Sequence, residues 1–130
     1  MRSVEECYRG RNVRVFRLDQ AAVMARLRER ARSVLERRPD VVEVRLFGSL
    51  ARGDARPGSD ADLFVVVRDG AGPFLDRLGD LAREFGGVGV GCDVIAFTES
   101  ETHALRARGD AFSRAVFDEG VPLAAREGQS

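Results

Sequence analysis

Two aspartates, Asp60 and Asp62, stand two residues apart at the start of an apolar run, Leu63–Val67. In an extended chain, side chains two apart lie on the same side. Two carboxylates about 4 Å apart repel each other by about 4 kcal/mol at an effective dielectric constant near 20. A fold tolerates this with a counter-charge, either arginine or a divalent cation. Hard oxygen ligands favour Mg²⁺ or Mn²⁺ over zinc.

A third carboxylate, Asp93, lies inside the apolar segment Val88–Phe97, which we predict to be a strand. An ionised aspartate is costly in a core unless it faces a site. If this strand lies beside that of Asp62, the three carboxylates form a seat for two divalent ions about 3.5–4 Å apart. The neighbouring Cys92 is then expected to face away from Asp93 and to pack in the core.

Upstream, Gly48 and Ser49 follow the strand pattern Val41–Phe47 and begin a predicted short helix. A glycine lets the backbone approach a ligand closely, and helix-start amides together with a serine hydroxyl suit a phosphate group. Phosphate donors next to metal-binding carboxylates describe a site for a metal–triphosphate complex.

The remaining elements would hold these residues in place. Asp19 can cap a helix that ends at Pro39 and Asp40, and residues 13–18 alternate as a short edge strand. In the strand Val41–Phe47, alternation predicts one face made of Val42, Val44 and Leu46. Leu63–Val67 reads as a central strand covered on both faces. Further predicted elements are a helix from Pro73 to Phe85, a capping box at Thr98–Glu101, a helix from Ala111 to Asp118, and a return strand in the segment VPLA.

Composition sets the class of protein. A chain of 130 residues with 44% hydrophobic and 32% charged residues fits one globular domain, here an α/β (α+β) fold with a mixed β-sheet flanked by helices. Its 21 basic residues balance 21 acidic ones, so no net charge favours nucleic acid or a membrane surface. Cys7 and Cys92 form no disulfide framework and no segment resembles a signal peptide, which predicts a cytoplasmic protein. The lone histidine, His103, is expected to be exposed.

The motif around the aspartates resembles a known family. Gly48-Ser49, ten residues, and then Asp60-Ala61-Asp62 resemble the signature of the DNA polymerase beta-type nucleotidyltransferase superfamily, in particular its minimal (MNT) members. The segments Ala51–Gly53 and Gly58–Leu63 also resemble that group, and Asp93 matches its third acidic position. The resemblance covers residues 41–123, the core of a single domain spanning 1–130, to which we add a predicted strand and helix at 13–38 and a frayed tail at 125–130.

The resemblance implies nucleotidyl transfer. Asp60 and Asp62 would bind two Mg²⁺ ions (or Mn²⁺), with Asp93 as a further metal ligand. An acceptor hydroxyl near Asp93 would be deprotonated and would attack the α-phosphorus of ATP or another nucleoside triphosphate, and Gly48 and Ser49 would hold the leaving pyrophosphate. The remaining two candidates, Arg52 and Ser59, would assist in binding the phosphates.

The resemblance also suggests a partner. Minimal members of this size are antitoxin-like partners of HEPN-type RNase toxins, with AMP transferred to a tyrosine of the toxin. Because no second domain is evident to grip the acceptor, a partner or another copy of the chain would complete the cleft. Two alternatives remain open from the residues: transfer to a small molecule such as an aminoglycoside, and a module that binds a toxin without catalysis.

Overall fold

The structure is a computed structural model that describes residues 20–56, 58–70 and 81–126. Its first helix, α1, spans Gln20–Arg37. The apolar side chains of this helix that the sequence predicted to be buried are buried. The helix ends before Pro39, because proline restricts the backbone conformation of the residue before it and has no N–H to continue a helix. The predicted strand at 13–18 and the cap at Asp19 lie outside the described residues. The buried stripe comprises Val23, Leu27, Ala31 and Val34.

Four strands form one mixed sheet, as the sequence predicted. Its order is β3-β2-β1-β4, with β1 antiparallel to both β2 and β4, and β2 parallel to β3. The parallel pair requires a crossover between β2 and β3. Residues 81–84 of this crossover are helical, whereas most of the helix predicted from Pro73 to Phe85 lies outside the described residues. The strands are β1 (Val41–Phe47), β2 (Ala61–Val67), β3 (Cys92–Thr98) and β4 (Val121–Ala125).

The central strand β2 is buried on both faces, which confirms its prediction from an unbroken apolar run. Leu63, Val65 and Val67 join a first core with α1, while Phe64 and Val66 lie on the opposite face. We call the second group the aromatic core, because four partly buried phenylalanines pack against it. These are Phe47, Phe97, Phe112 and Phe117.

A β-bulge corrects the predicted faces of β1. Val41 pairs with Val67 and Glu43 with Val66, so Val42 is an extra residue in the ladder. The bulge turns Val42 into the aromatic core, whereas Val44 lies in the first core. Strict alternation was therefore wrong for Val42, because one inserted residue reverses the faces on either side of it.

Strand β3 is also shorter than predicted, since it begins at Cys92 rather than Val88. Residues 88–90 form bends, and Gly89 has a φ of 105°, which lies outside the β region. The predicted capping box is confirmed: the Thr98 side chain accepts from the Glu101 amide, and helix α3 (Glu99–Arg108) follows.

The chain after α3 has two short helical segments. Helix α4 (Ala111–Ser113) continues into a π-helical turn, Arg114–Asp118, and β4 follows. The predicted helix Ala111–Asp118 is thus confirmed in extent, although five of its residues have the wider winding. The short helix α2 (Ser49–Arg52), between β1 and β2, confirms the predicted helical start at Ser49. Among the described residues, no helix is both long enough and apolar enough to cross a membrane.

Candidate active site

Asp62 and Asp93 are direct partners in the parallel ladder of β2 and β3. Neighbouring strands lie about 4.8 Å apart, and partners in such a ladder point to the same face of the sheet. The two aspartates therefore lie side by side on the face of the aromatic core, because they alternate with Ala61 and Cys92 of the first core. The predicted neighbourhood of Asp62 and Asp93 is confirmed.

Cys92 faces away from this pair, as alternation predicted. Its thiol packs against the first core and donates to the carbonyl oxygens of Phe85, at 3.7 Å, and Val90. Burial raises the pKa of the Cys92 thiol to about 11, and the negative charges of Asp60 and Asp93 add to that effect. Such a thiol is a packing group rather than a metal ligand or nucleophile at neutral pH.

The carboxylates of Asp60 and Asp62 each lie against a glycine. A Cβ atom on Gly48 would overlap with Oδ2 of Asp62 and would stand 3.2 Å from its Cγ. A Cβ atom on Gly91 would stand 2.8 Å from Oδ1 of Asp60. Because Gly48 follows β1 and Gly91 precedes β3, the Asp62 carboxylate lies on the β1 side of β2 and the Asp60 carboxylate lies on the β3 side.

The charges at this site interact. Partial burial raises the pKa of Asp62, and the nearby charges of Asp93 and Asp60 raise it further, while Arg52 opposes the shift. Asp60 and Asp93 are exposed, and Asp62 is half-buried. Within the described part of the chain, no hydrogen bond or ion pair satisfies these three carboxylates, so they remain open to a ligand.

The donor set fits a divalent cation. Carboxylate oxygens are the preferred ligands of Mg²⁺ and Mn²⁺, and glycine at 48 leaves the space that the Asp62 carboxylate fills. Across residues 20–56, 58–70 and 81–126, no three acidic, histidine or cysteine side chains already form a metal-binding cluster. Exposed Asp60 and Asp93 are free to turn toward an ion that offsets the repulsion.

The turn before α2 places Gly48 next to Asp62. Gly48 has φ 85° and ψ −158°, a conformation that favours glycine, and its carbonyl accepts from the Arg52 amide at 3.1 Å. Ser49, half-buried, is the first residue of α2. The backbone at this turn therefore comes close to the carboxylate without an intervening side chain.

Arg52 lies beside this turn and interacts with several carboxylates. Its guanidinium forms ion pairs with Asp54, at 3.3 Å, and with Glu119, at 3.7 Å, and it acts electrostatically on Asp62. Glu119 lies far away in sequence, so no local pattern could have identified it. The positive charge of Arg52 is therefore close enough to Asp62 to affect it, while the role of Arg52 with phosphates stays a prediction.

Ser59 has a different environment. Its hydroxyl accepts from the Arg56 amide at 2.9 Å, and its own amide donates to the Arg56 carbonyl at 2.9 Å. These bonds shape the loop that leads into Asp60.

His103 is exposed on α3, as predicted.

Comparison with known proteins agrees with this geometry. Residues 27–118 match the nucleotidyltransferase domain family, a stretch that includes the Gly48-Ser49 turn and all three aspartates. No curated protein matches the chain.

Eight chains of solved structures resemble this chain, among them the following three. A candidate nucleotidyltransferase from Sulfolobus solfataricus is 26% identical, with a TM-score of 0.61, over 84% of this chain and 86% of that one. A candidate minimal nucleotidyltransferase is 32% identical, with a TM-score of 0.53, over 76% of this chain and 94% of that one. The third, described as a toxin–antitoxin with AMP-PNP, is 21% identical, with a TM-score of 0.50 over 85% and 76% of the two chains, and shares the fold. The chain therefore belongs to the nucleotidyltransferase domain family and is a nucleotidyltransferase.

Proposed function

We propose that this protein transfers AMP from ATP to a hydroxyl group of a partner protein, with Asp60, Asp62 and Asp93 as ligands of Mg²⁺. The observation that carries the proposal is the ladder pairing of Asp62 with Asp93 beside the Gly48 turn. Repelling carboxylates that form no ion pair with a described residue are costly, and they are useful where a cation binds. When bound, Mg²⁺ supplies positive charge that stabilises the charge developing on the phosphates.

The residues of the chain would then position the phosphates and the acceptor hydroxyl. The Gly48 backbone and the Ser49 hydroxyl hold the leaving phosphates, and Arg52 adds charge beside them. Asp93 lies on β3, which is an edge strand among the described residues, so an acceptor hydroxyl can approach it from the open side. The acceptor oxygen forms a bond to the α-phosphorus, the bond to the bridging oxygen breaks, and pyrophosphate leaves with that electron pair. The hydroxyl proton passes to a site carboxylate and then to water.

The acceptor we propose is a tyrosine of a HEPN-type toxin, which makes this protein an antitoxin. The support is the resemblance to minimal nucleotidyltransferases together with the shared fold of the toxin–antitoxin structure with AMP-PNP. Because AMP-PNP is an ATP analogue, that structure also supports ATP as the nucleotide.

Labelled ATP tests the proposal directly. The protein is mixed with a HEPN-type protein encoded beside it, Mg²⁺, and ATP labelled at the α-phosphorus. We expect label on a tyrosine of the partner, none from ATP labelled at the γ-phosphorus, and none with the Asp60→Asn/Asp62→Asn variant. Asp118→Asn, a change at an exposed carboxylate in the π-helical turn, is the matched control.

Other outcomes would overturn the proposal. Inhibition of the toxin that survives the double substitution, without any label, would indicate a module that acts by contact alone. Label on an aminoglycoside and not on the partner protein would indicate small-molecule transfer.

A further inference from the structure

We propose that Gly91 is a positioning residue for the carboxylate of Asp60. The proposal rests on the proposed function, because it assigns Gly91 a part in holding a metal ligand. Gly91 lies outside the glycine-serine and aspartate motifs, and from the sequence alone it is only a glycine that would weaken the predicted strand Val88–Phe97. The structure gives it a specific contact.

The contact follows from the register of β2 and β3. Ala61 pairs with Cys92, and the Ala61 amide donates to the Gly91 carbonyl at 2.8 Å. One step before this pair, Asp60 and Gly91 therefore stand next to each other. A side chain at position 91 would enter the space that the Asp60 carboxylate fills, since its Cβ would stand 2.8 Å from Oδ1 and 3.3 Å from Cγ.

The space left by the missing side chain of Gly91 also fixes the direction in which the Asp60 carboxylate points. Asp93 lies two residues after Gly91, in β3, and the Asp60 carboxylate occupies the side of β2 toward β3. A residue larger than glycine at position 91 would push Asp60 away from Asp93. The two carboxylates could then no longer approach one cation from adjacent strands.

Alanine at position 91 tests this contact without a large effect on the fold. The positive-φ glycines in the described chain are Gly48, Gly53, Gly58, Gly70, Gly87, Gly89 and Gly109, and Gly91 is not one of them, so alanine carries no left-handed strain. The atom it would meet is the end of an exposed, flexible side chain. Gly86→Ala is the matched control in the same loop, because a Cβ there meets its nearest neighbour, the Arg83 carbonyl, at an ordinary 3.6 Å.

The experiment measures Mn²⁺ binding by electron paramagnetic resonance of the free ion, without nucleotide or partner. We expect Gly91→Ala to weaken binding about tenfold, the range seen when a group that orients a metal ligand is changed. Gly86→Ala should bind as the wild type does, and circular dichroism should show all variants folded. In the Asp60→Ala background, Gly91→Ala should have no further effect, since there is no carboxylate left to displace.

The outcomes separate the two proposals. If Asp60→Ala leaves Mn²⁺ binding unchanged, the metal site of the proposed function is wrong. If Asp60→Ala weakens binding but Gly91→Ala does not, or if the two effects are additive, Gly91 does not position Asp60 and only this inference fails.

Discussion

Asp62 and Asp93 are partners in the parallel ladder of β2 and β3, and their side chains lie side by side on the same face of the sheet. The backbone hydrogen bonds of the ladder fix the distance between β2 and β3, so the strands cannot move apart to relieve the repulsion between the two carboxylates. The pKa of Asp62 is accordingly raised by burial and then by Asp93 and Asp60. The site therefore holds unfavourable charge that a cation would relieve.

Replacing Asp62 with asparagine should remove activity and raise stability. We expect nucleotidyl transfer to fall by more than about 100-fold, the upper end of what changing a group that only orients a metal ligand costs. In the absence of metal at pH 7, the melting temperature should rise, because the substitution removes a charge that its neighbours disfavour. The measurement combines a transfer assay with thermal unfolding in EDTA.

The pH dependence of that stability gain follows from the raised pKa. The folded protein holds the Asp62 proton more tightly than the unfolded chain, so ionisation of Asp62 lowers stability as the pH rises from 3.8 through the folded-state pKa. The advantage of Asp62→Asn should thus be full at pH 7 and should shrink as the pH falls. An advantage that stays constant down to pH 3 would mean that charge at Asp62 is not the cause.

Gly48 should tolerate alanine less well than Gly53 does. Both glycines have a positive φ, but Gly53 (ψ 13°) is in the left-handed helical region, where alanine should cost about 1–2 kcal/mol, whereas Gly48 (ψ −158°) is in a region adopted essentially by glycine alone, where the strain of alanine is greater. At Gly48 the new Cβ would also overlap with the Asp62 carboxylate, whereas at Gly53 nothing lies within 4 Å. Mn²⁺ affinity should therefore fall in Gly48→Ala and stay unchanged in Gly53→Ala. Equal metal affinities in the two variants would contradict the packing of Asp62 against Gly48.

Much of this site could be predicted from sequence because its chemistry is local. The spacing from Gly48 to Asp62 and the apolar run after Asp62 define a turn, a loop and a buried strand. Strand alternation also predicts correctly that Cys92 and Asp93 face opposite ways. These features depend on the period of a strand, which the sequence carries.

What sequence could not predict depends on register and on distant contacts. The bulge at Val42 reverses the faces of β1 through one extra residue, which alternation alone does not reveal. The contact of Arg52 with Glu119 joins two segments that are far apart in the chain. Gly91 was likewise visible only as a break in a strand, since its role depends on which residue of β2 lies beside it.

Cys92 should react slowly with alkylating reagents. At pH 8 a thiol with a pKa of about 11 is about 0.1% thiolate, against about 10% for the ordinary value of 9.0, so the rate should be roughly 100-fold lower. Iodoacetamide labelling followed by mass spectrometry, in a Cys7→Ser background, measures this rate. The rate should rise about tenfold per pH unit between pH 8 and 10, and a plateau near pH 9 would disprove the raised pKa.

Arg45 should stabilise the π-helical turn more than any exposed arginine nearby. Its guanidinium donates to the carbonyl oxygens of Val116, at 3.1 Å, and Phe117, at 3.4 Å. The chain leaves the turn at Gly120, and Pro122 has no N–H, so helical amides that would otherwise reach these carbonyls are missing. With Arg45 mostly buried, Arg45→Met should lower the free energy of unfolding by about 1.5–3 kcal/mol.

The matched control for Arg45 is Arg114, which is exposed and donates to one carbonyl, that of Gly109, at 2.7 Å. Arg114→Met should change the free energy of unfolding by less than about 0.5 kcal/mol, because water can replace a single exposed bond. Urea denaturation of both variants measures the difference. Since Arg45 lies two residues before Phe47, the partner of Asp62 in the ladder, Mn²⁺ affinity should be measured as well. If stability falls while affinity is kept, Arg45 supports the turn and not the site, whereas equal stabilities of the two variants would show that the carbonyls of Val116 and Phe117 do not need it.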